Sequence, residues 1–165
     1  MHRPALLLAI AFASALALAG SAGARPQIFS GNVCRVVPPG MIAALPSISP
    51  TCKNTGPTQG PGSTIWVGTW RNAAHGGHGL QITVSRYGDT GALQVAKRSL
   101  KQGLPGPSPK MVNGIGAAAW ESTAAQTAGL HFGQGHYVVA ILLTTPGHPS
   151  LAVVERVARS IVSEF

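Results

Sequence analysis

Acidic residues, which most hydrolytic and acid–base sites require, are scarce in this chain. Its 165 residues include 4 Asp and Glu against 12 Lys and Arg, for a formal charge of +8. General acid–base catalysis needs paired carboxylates or a carboxylate beside a base. Asp89 stands alone in a turn, and Glu155 and Glu164 fall in the C-terminal helical pattern. Because nucleophile-elbow, phosphate-loop and zinc-helix motifs are also missing from the sequence, we expect no enzymatic activity and no cofactor.

Residues 114–119, GIGAAA, match the glycine pattern of dinucleotide-binding loops. That pattern requires a strand before it and a helix after it. Here Pro105, Pro107 and Pro109 precede it instead. The sequence therefore predicts a tight turn that delivers Trp120 to the core.

Two histidines in a glycine-rich stretch, His75 and His78, are the nearest approach to a metal motif. Two imidazoles could ligate zinc or copper, but two ligands do not close a metal site. A complete site would need His131 or His136 to fold close by. The pattern favours a solvated loop, with metal binding by His75 and His78 as the alternative.

Lys97, Arg98 and Lys101 form the densest basic cluster, on a helix predicted over residues 92–102. They point away from an apolar stripe, which leaves them free to bind an anion. The stripe consists of Leu93, Ala96 and Leu100. The expected partner is an anionic envelope polymer or a lipid headgroup, and the alternative is a merely solvated helix face. Aromatic residues are not interleaved with these charges, so no specific nucleic-acid partner is expected.

The N-terminus has the order of a secretory leader over residues 1–24: Arg3, an apolar run over 5–19, and small residues ending at Ala24. The apolar run is shorter than the roughly 20 residues that span a bilayer, which disfavours an uncleaved anchor. The first cysteine, Cys34, lies too far from Ala24 for a lipid anchor. We expect cleavage after Ala24 and a bacterial protein that is periplasmic or extracellular, with no transmembrane segment in its mature chain.

The chain has two cysteines, Cys34 and Cys52. Export places them in an oxidising compartment, where a pair with no competing thiol is most simply read as a disulfide. Two free thiols, or metal ligation by the two cysteines, are the less favoured alternatives.

The fold class predicted from hydrophobic periodicity is α+β: a four-stranded antiparallel sheet with helices on one face, in the order ββα-ββα. An irregular, disulfide-stapled segment over 25–63 precedes this domain, which covers 64–165. A second helix closes the chain behind Ser150, with one apolar stripe. The predicted strands cover residues 64–71, 80–87, 127–132 and 136–145.

The layout resembles small secreted and lipoprotein domains of unknown function from actinobacteria, a group similar to the extracellular sensor domain of mycobacterial receptor kinases. The resemblance rests on Cys34 before a short helix, Cys52, the turn at 112–119, the strand at 137–144 and the closing amphipathic helix. The chain departs from the group in having no lipobox. The resemblance implies an α+β fold and a non-enzymatic sensing or ligand-binding role.

These observations together predict an exported, non-catalytic binding or sensor-like envelope domain. The alternatives are a metal-binding protein that uses the loop histidines and a small secreted hydrolase that recruits Asp89.

Overall fold

The computed structural model describes residues 29–45, 48–72 and 78–165. The predicted leader, with its cleavage site at Ala24, lies outside these residues, as does His75. The helices are α1 (Val33–Val36), α2 (Pro39–Ala43), α3 (Thr90–Arg98) and α4 (Leu151–Ile161), which continues into a 3₁₀ turn at Val162–Glu164. The strands are β1 (Cys52–Gly60), β2 (Ser63–Arg71), β3 (Gly79–Tyr87), β4 (Lys110–Val112), β5 (Ala118–Ala124), β6 (Thr127–Gln134) and β7 (Tyr137–Thr144).

The described strands form one antiparallel sheet in the order β1-β2-β3-β7-β6-β5-β4. The predicted sheet of four strands is therefore wrong: its members are β2, β3, β6 and β7, and three further strands extend it. The edge strand β1 lies in the segment that was predicted to be irregular. It is exposed along most of its length. Because it buries few side chains, its sequence has no apolar alternation from which a strand could be predicted. The other edge strand, β4, has three residues, and β5 is rich in alanine.

The first face of the sheet carries the main core. Trp66, Val84, Val139 and Phe132 stand side by side on β2, β3, β7 and β6. Helices α1, α2 and α4 contribute buried side chains to the same cluster. Those from α4 are Val154, Val157, Ala158 and Ile161. A fully buried valine or isoleucine side chain contributes about 1.5–3 kcal/mol, so this face is the principal source of stability.

The second face is covered by α3 and the segment that follows it. Leu93, Leu100 and Leu104 are buried there, outside the main core cluster. The carbons of Lys97 pack over Gly133 of β6, where an added Cβ would lie 3.2 Å from Lys97 Cε. Helices thus lie on both faces, and the prediction that all of them pack on one face is wrong.

The Cys34–Cys52 disulfide is confirmed, with the two Cα atoms 5.8 Å apart and a sequence separation of 18 residues. It joins α1 to the start of β1. A second link reinforces the first, because the Val33 amide donates a hydrogen bond of 2.8 Å to Asn54 Oδ1 on β1. Together they fix the edge strand against the first face.

Candidate functional site

The part of the second face formed by β1, β2 and β3 contains a basic groove. Strand register brings Lys53 opposite Thr69, and Thr69 opposite Gln81, so these side chains share the second face. Arg71 lies two residues beyond Thr69 and therefore points to the same side. Helix α3 packs against β3 and β7 instead. In this part of the sheet the side chain of Thr69 is partly buried, and those of Lys53 and Arg71 are exposed.

The groove has a volume of about 450 Å³. Its lining combines two cations with four hydroxyl groups: Ser49, Thr51, Lys53, Thr55, Thr69 and Arg71. Its lining contains no carboxylate, and the ion pair found among the described residues, Arg159 with Glu155, lies elsewhere. Cationic and hydroxyl donors together suit an anionic oxygen-rich ligand.

The groove continues across the sheet into a second depression of about 90 Å³. The two depressions share Thr69 and Arg71, and the second reaches Gln81, Leu142 and Thr144 on β3 and β7. From β1 to β7 the sheet spans three inter-strand spacings, roughly 14 Å. The groove is therefore long enough for several units of a chain-like ligand.

A serine-initiated turn leads the chain into this groove. The Thr51 amide donates a hydrogen bond of 3.2 Å to Ser49 Oγ, immediately before β1 begins. The disulfide at Cys52 then fixes the start of the strand. Lys53, the next residue, is thereby held at the rim of the groove.

The predicted anion-binding cluster on α3 is divided among different partners. Lys97 Nζ donates a hydrogen bond of 3.1 Å to the carbonyl oxygen of Gly135. The ammonium group of Lys101 lies 3.9 Å from the ring centroid of Trp120, in a cation–π contact. Arg98 is exposed at the end of the helix. Anion binding by Lys97, Arg98 and Lys101 stays a prediction.

The described histidines lie in different parts of the sheet. His78 precedes β3 at the end where Gly79 pairs with Thr144, whereas His136 adjoins Tyr137 at the opposite end. His131 lies on β6, with Nδ1 2.9 Å from the carbonyl oxygen of Leu100. No three His, Cys, Asp or Glu side chains in the described part of the chain are grouped so that they could hold a metal ion.

Two other predicted features have structural roles. Asp89 caps α3, because its carboxylate accepts a hydrogen bond of 2.7 Å from the Ala92 amide. The glycine pattern at 114–119 covers the turn between β4 and β5 and the first two residues of β5, and it is not followed by a helix. It forms a turn in which the Ala117 amide donates to the carbonyl oxygen of Gly133 at 2.8 Å.

Two titratable side chains have shifted pKa values. Burial raises the pKa of Glu121, and the neighbouring Glu155 carboxyl group raises it further, while Lys110 opposes the shift. Burial lowers the pKa of His131, against the effect of its hydrogen bond with Leu100. Glu121 lies next to a cavity.

Sequence reasoning missed Lys53 and Arg71. The alternation of β2 puts Arg71 on the face opposite Trp66 and Trp70, which was visible in the sequence. Lys53 could not be placed beside it, because β1 carries no apolar pattern.

Comparison of the chain with protein-family models, curated proteins and solved structures found no match in any of the three. Among the described residues, no helix has both the length and the apolar character needed to cross a membrane.

Proposed function

We propose that this chain is an exported, non-catalytic binding domain that holds an anionic polymer in the basic groove. The observation that carries the proposal is the lining itself, where Lys53 and Arg71 lie among four hydroxyl groups with no carboxylate. The formal charge, +8 for the full sequence including Arg3 of the predicted leader, would add long-range attraction for a polyanion. The sensor-like envelope role that the sequence resemblance implies belongs to the same proposal.

Export is supported by the leader-like N-terminus and by the disulfide. Disulfides persist in oxidising compartments and are rare in the reducing cytosol. A non-catalytic role is supported by the roles of two of the four acids. Asp89 caps a helix, and Glu155 is paired with Arg159 at 3.3 Å.

A polymer fits the groove better than a membrane surface does. Peripheral membrane binding usually inserts apolar side chains beside the basic ones. The large hydrophobic side chains that are exposed in the described part of the chain, Val95 and Met111, lie on α3 and β4. Neither lines the groove.

The test is calorimetric titration with inorganic polyphosphate, with pyrophosphate as the short analogue. We expect polyphosphate to bind more tightly, because the groove spans several strands. Changing both Lys53 and Arg71 to Gln should weaken binding roughly tenfold, since two charge-assisted contacts are lost. Affinity should also fall as salt is raised, because the screening length shortens to about 8 Å at physiological strength.

The matched control changes Arg98 and Lys101 to Gln, which removes the same net charge from the end of α3 and the turn that follows it. This variant should keep most of the polyphosphate affinity. If it loses as much affinity as the groove variant, net charge and not the groove determines binding. If phosphatidylglycerol vesicles bind and polyphosphate does not, the polymer proposal is wrong.

A further inference from the structure

Glu121 carries a buried carboxyl oxygen that lacks a hydrogen-bond partner. It lies on the first face of β5, directly opposite Lys110 of β4 and Leu130 of β6. The residue is 9% exposed, and its Oε2 atom is buried without a hydrogen-bond partner among the described residues. Leaving a buried carboxyl oxygen unpaired is costly, so native proteins supply a donor. The Glu155 carboxyl group is a side-chain hydrogen-bonding neighbour of Glu121, but Oε2 itself has no partner among the described residues.

A cavity of about 190 Å³ adjoins this carboxyl group. Its polar lining consists of Ser108, Lys110, Glu121, Ser122 and Thr123. Pro107 and Leu151 supply an apolar wall. The volume equals that of roughly six water molecules in the liquid, which suits a small organic molecule and not a drug-sized one.

The charges around the cavity are of both signs and are not all neutralised. Glu155 of α4 neighbours Glu121 and is paired with Arg159. Lys110 forms no ion pair within the described chain, although Glu121 lies directly across from it. A cation and a carboxyl group therefore lie side by side in the lining with neither paired to the other.

The start of α4 adds a second attraction for negative charge. Leu151, the first residue of this 11-residue helix, lines the cavity. The side chain of Ser150 makes no capping hydrogen bond to the first turn. The positive end of the helix dipole therefore faces the region of the cavity without a side-chain cap.

We propose that this cavity binds a small zwitterion of the α-amino acid type. The ligand's ammonium group donates to Glu121 Oε2, and its carboxylate lies at Lys110 and the first turn of α4. A zwitterion supplies the donor that Glu121 lacks and the anion that Lys110 lacks in one molecule, with no net change in charge. The site is separate from the basic groove, and the two share no lining residue.

The experiment is an amide-shift titration by NMR with L-alanine, using ethylamine and propionate as probes of each half of the ligand. We expect L-alanine to shift the amides of Lys110, Glu121 and Leu151. Each half-ligand should bind at least about tenfold more weakly, because it leaves one charged group unpaired. If ethylamine or propionate binds as tightly as L-alanine, or if L-alanine shifts none of these amides, the proposal is wrong.

Two variants locate the site. Glu121→Gln keeps the shape of the side chain and removes its charge, and Lys110→Gln removes a charge at an exposed position. Each should weaken L-alanine binding about tenfold or more. Lys53→Gln in the groove is the control and should leave it unchanged. Unaltered binding in Lys110→Gln overturns the proposal even if Glu121→Gln fails to fold.

Discussion

The basic residues at the end of α3 and just after it differ from those of the groove in the groups that their charges contact. Lys97 and Lys101 are neighbours in sequence, yet their ammonium groups contact a carbonyl oxygen and an aromatic ring of the same chain. Lys53 and Arg71 are far apart in sequence, and the register of β1 with β2 brings them into one groove. A run of charges on a helix is thus a weaker indicator of a binding site than charges that converge through strand pairing.

The largest expected effect comes from removing the disulfide that holds β1, with Cys34→Ser and Cys52→Ser together. A closed loop of this length stabilises the fold by about 3 kcal/mol, and that free energy of unfolding should be lost. Denaturant titration with and without the change measures it.

The same double variant also tests whether the position of Lys53 in the groove depends on the disulfide. Polyphosphate affinity should fall as well, because Lys53 follows Cys52 directly and is less well held once α1 and β1 are unlinked. The chemical shifts of α3 should stay as they are. A variant with full polyphosphate affinity would show that the position of Lys53 does not depend on the disulfide.

The strands that the sequence predicted are those with an apolar alternation or a continuous apolar run. β3 alternates buried and partly exposed positions, and so does β7. The edge strand β1 escaped prediction because it buries almost nothing, and its pairing depends on hydrogen bonds that composition does not reveal. For that reason the groove could not be predicted either, since two of its six lining residues, Lys53 and Thr55, belong to β1.

Prediction of the helices from the sequence was limited in a similar way. Residues 92–102 were predicted as one helix, but α3 ends at Arg98. The apolar stripe was well predicted at Leu93 and Leu100, which are both buried. Which face of the sheet the stripe would cover could not be read from the periodicity, because any amphipathic helix fits either side of a sheet with two apolar faces.

A smaller effect concerns how stability depends on pH. The dependence should have opposite signs for Glu121 on the first face and His131 on the second. On the first face, the raised pKa of Glu121 means that the folded state holds a proton more tightly than the unfolded state. The protonated Glu121 side chain therefore contributes to the free energy of unfolding below the ordinary pKa of 4.5. That contribution is lost as the pH rises from there through the pKa of the folded state. The groups facing it are Glu155, which is paired with Arg159, and Lys110. Glu121→Gln should remove this loss.

On the second face, the lowered pKa of His131 has the opposite sign. Its contribution is present above the ordinary pKa of 6.5 and is lost as the pH falls below that value. His131→Asn should remove this dependence. Unfolding free energies measured across both ranges check the pair of signs, and the same slope in wild type and variant would contradict either assignment.

The smallest expected effect distinguishes a lysine that contributes to stability from one that does not. Lys101→Met keeps much of the apolar stem but removes the cation above Trp120, so it should lower the free energy of unfolding by about 0.5–1 kcal/mol. Lys53→Met, at the exposed rim of the groove, should change that free energy by less than about 0.5 kcal/mol.

A double-mutant cycle of Lys101→Met with Trp120→Leu isolates the pair, because the coupling energy excludes what each side chain contributes alone. Equal losses for the two lysine variants, or no coupling between Lys101 and Trp120, would remove the distinction between the two basic clusters. A loss confined to Lys101 would support it, with the cation that follows α3 stabilising the fold and the cation of the groove available to a ligand.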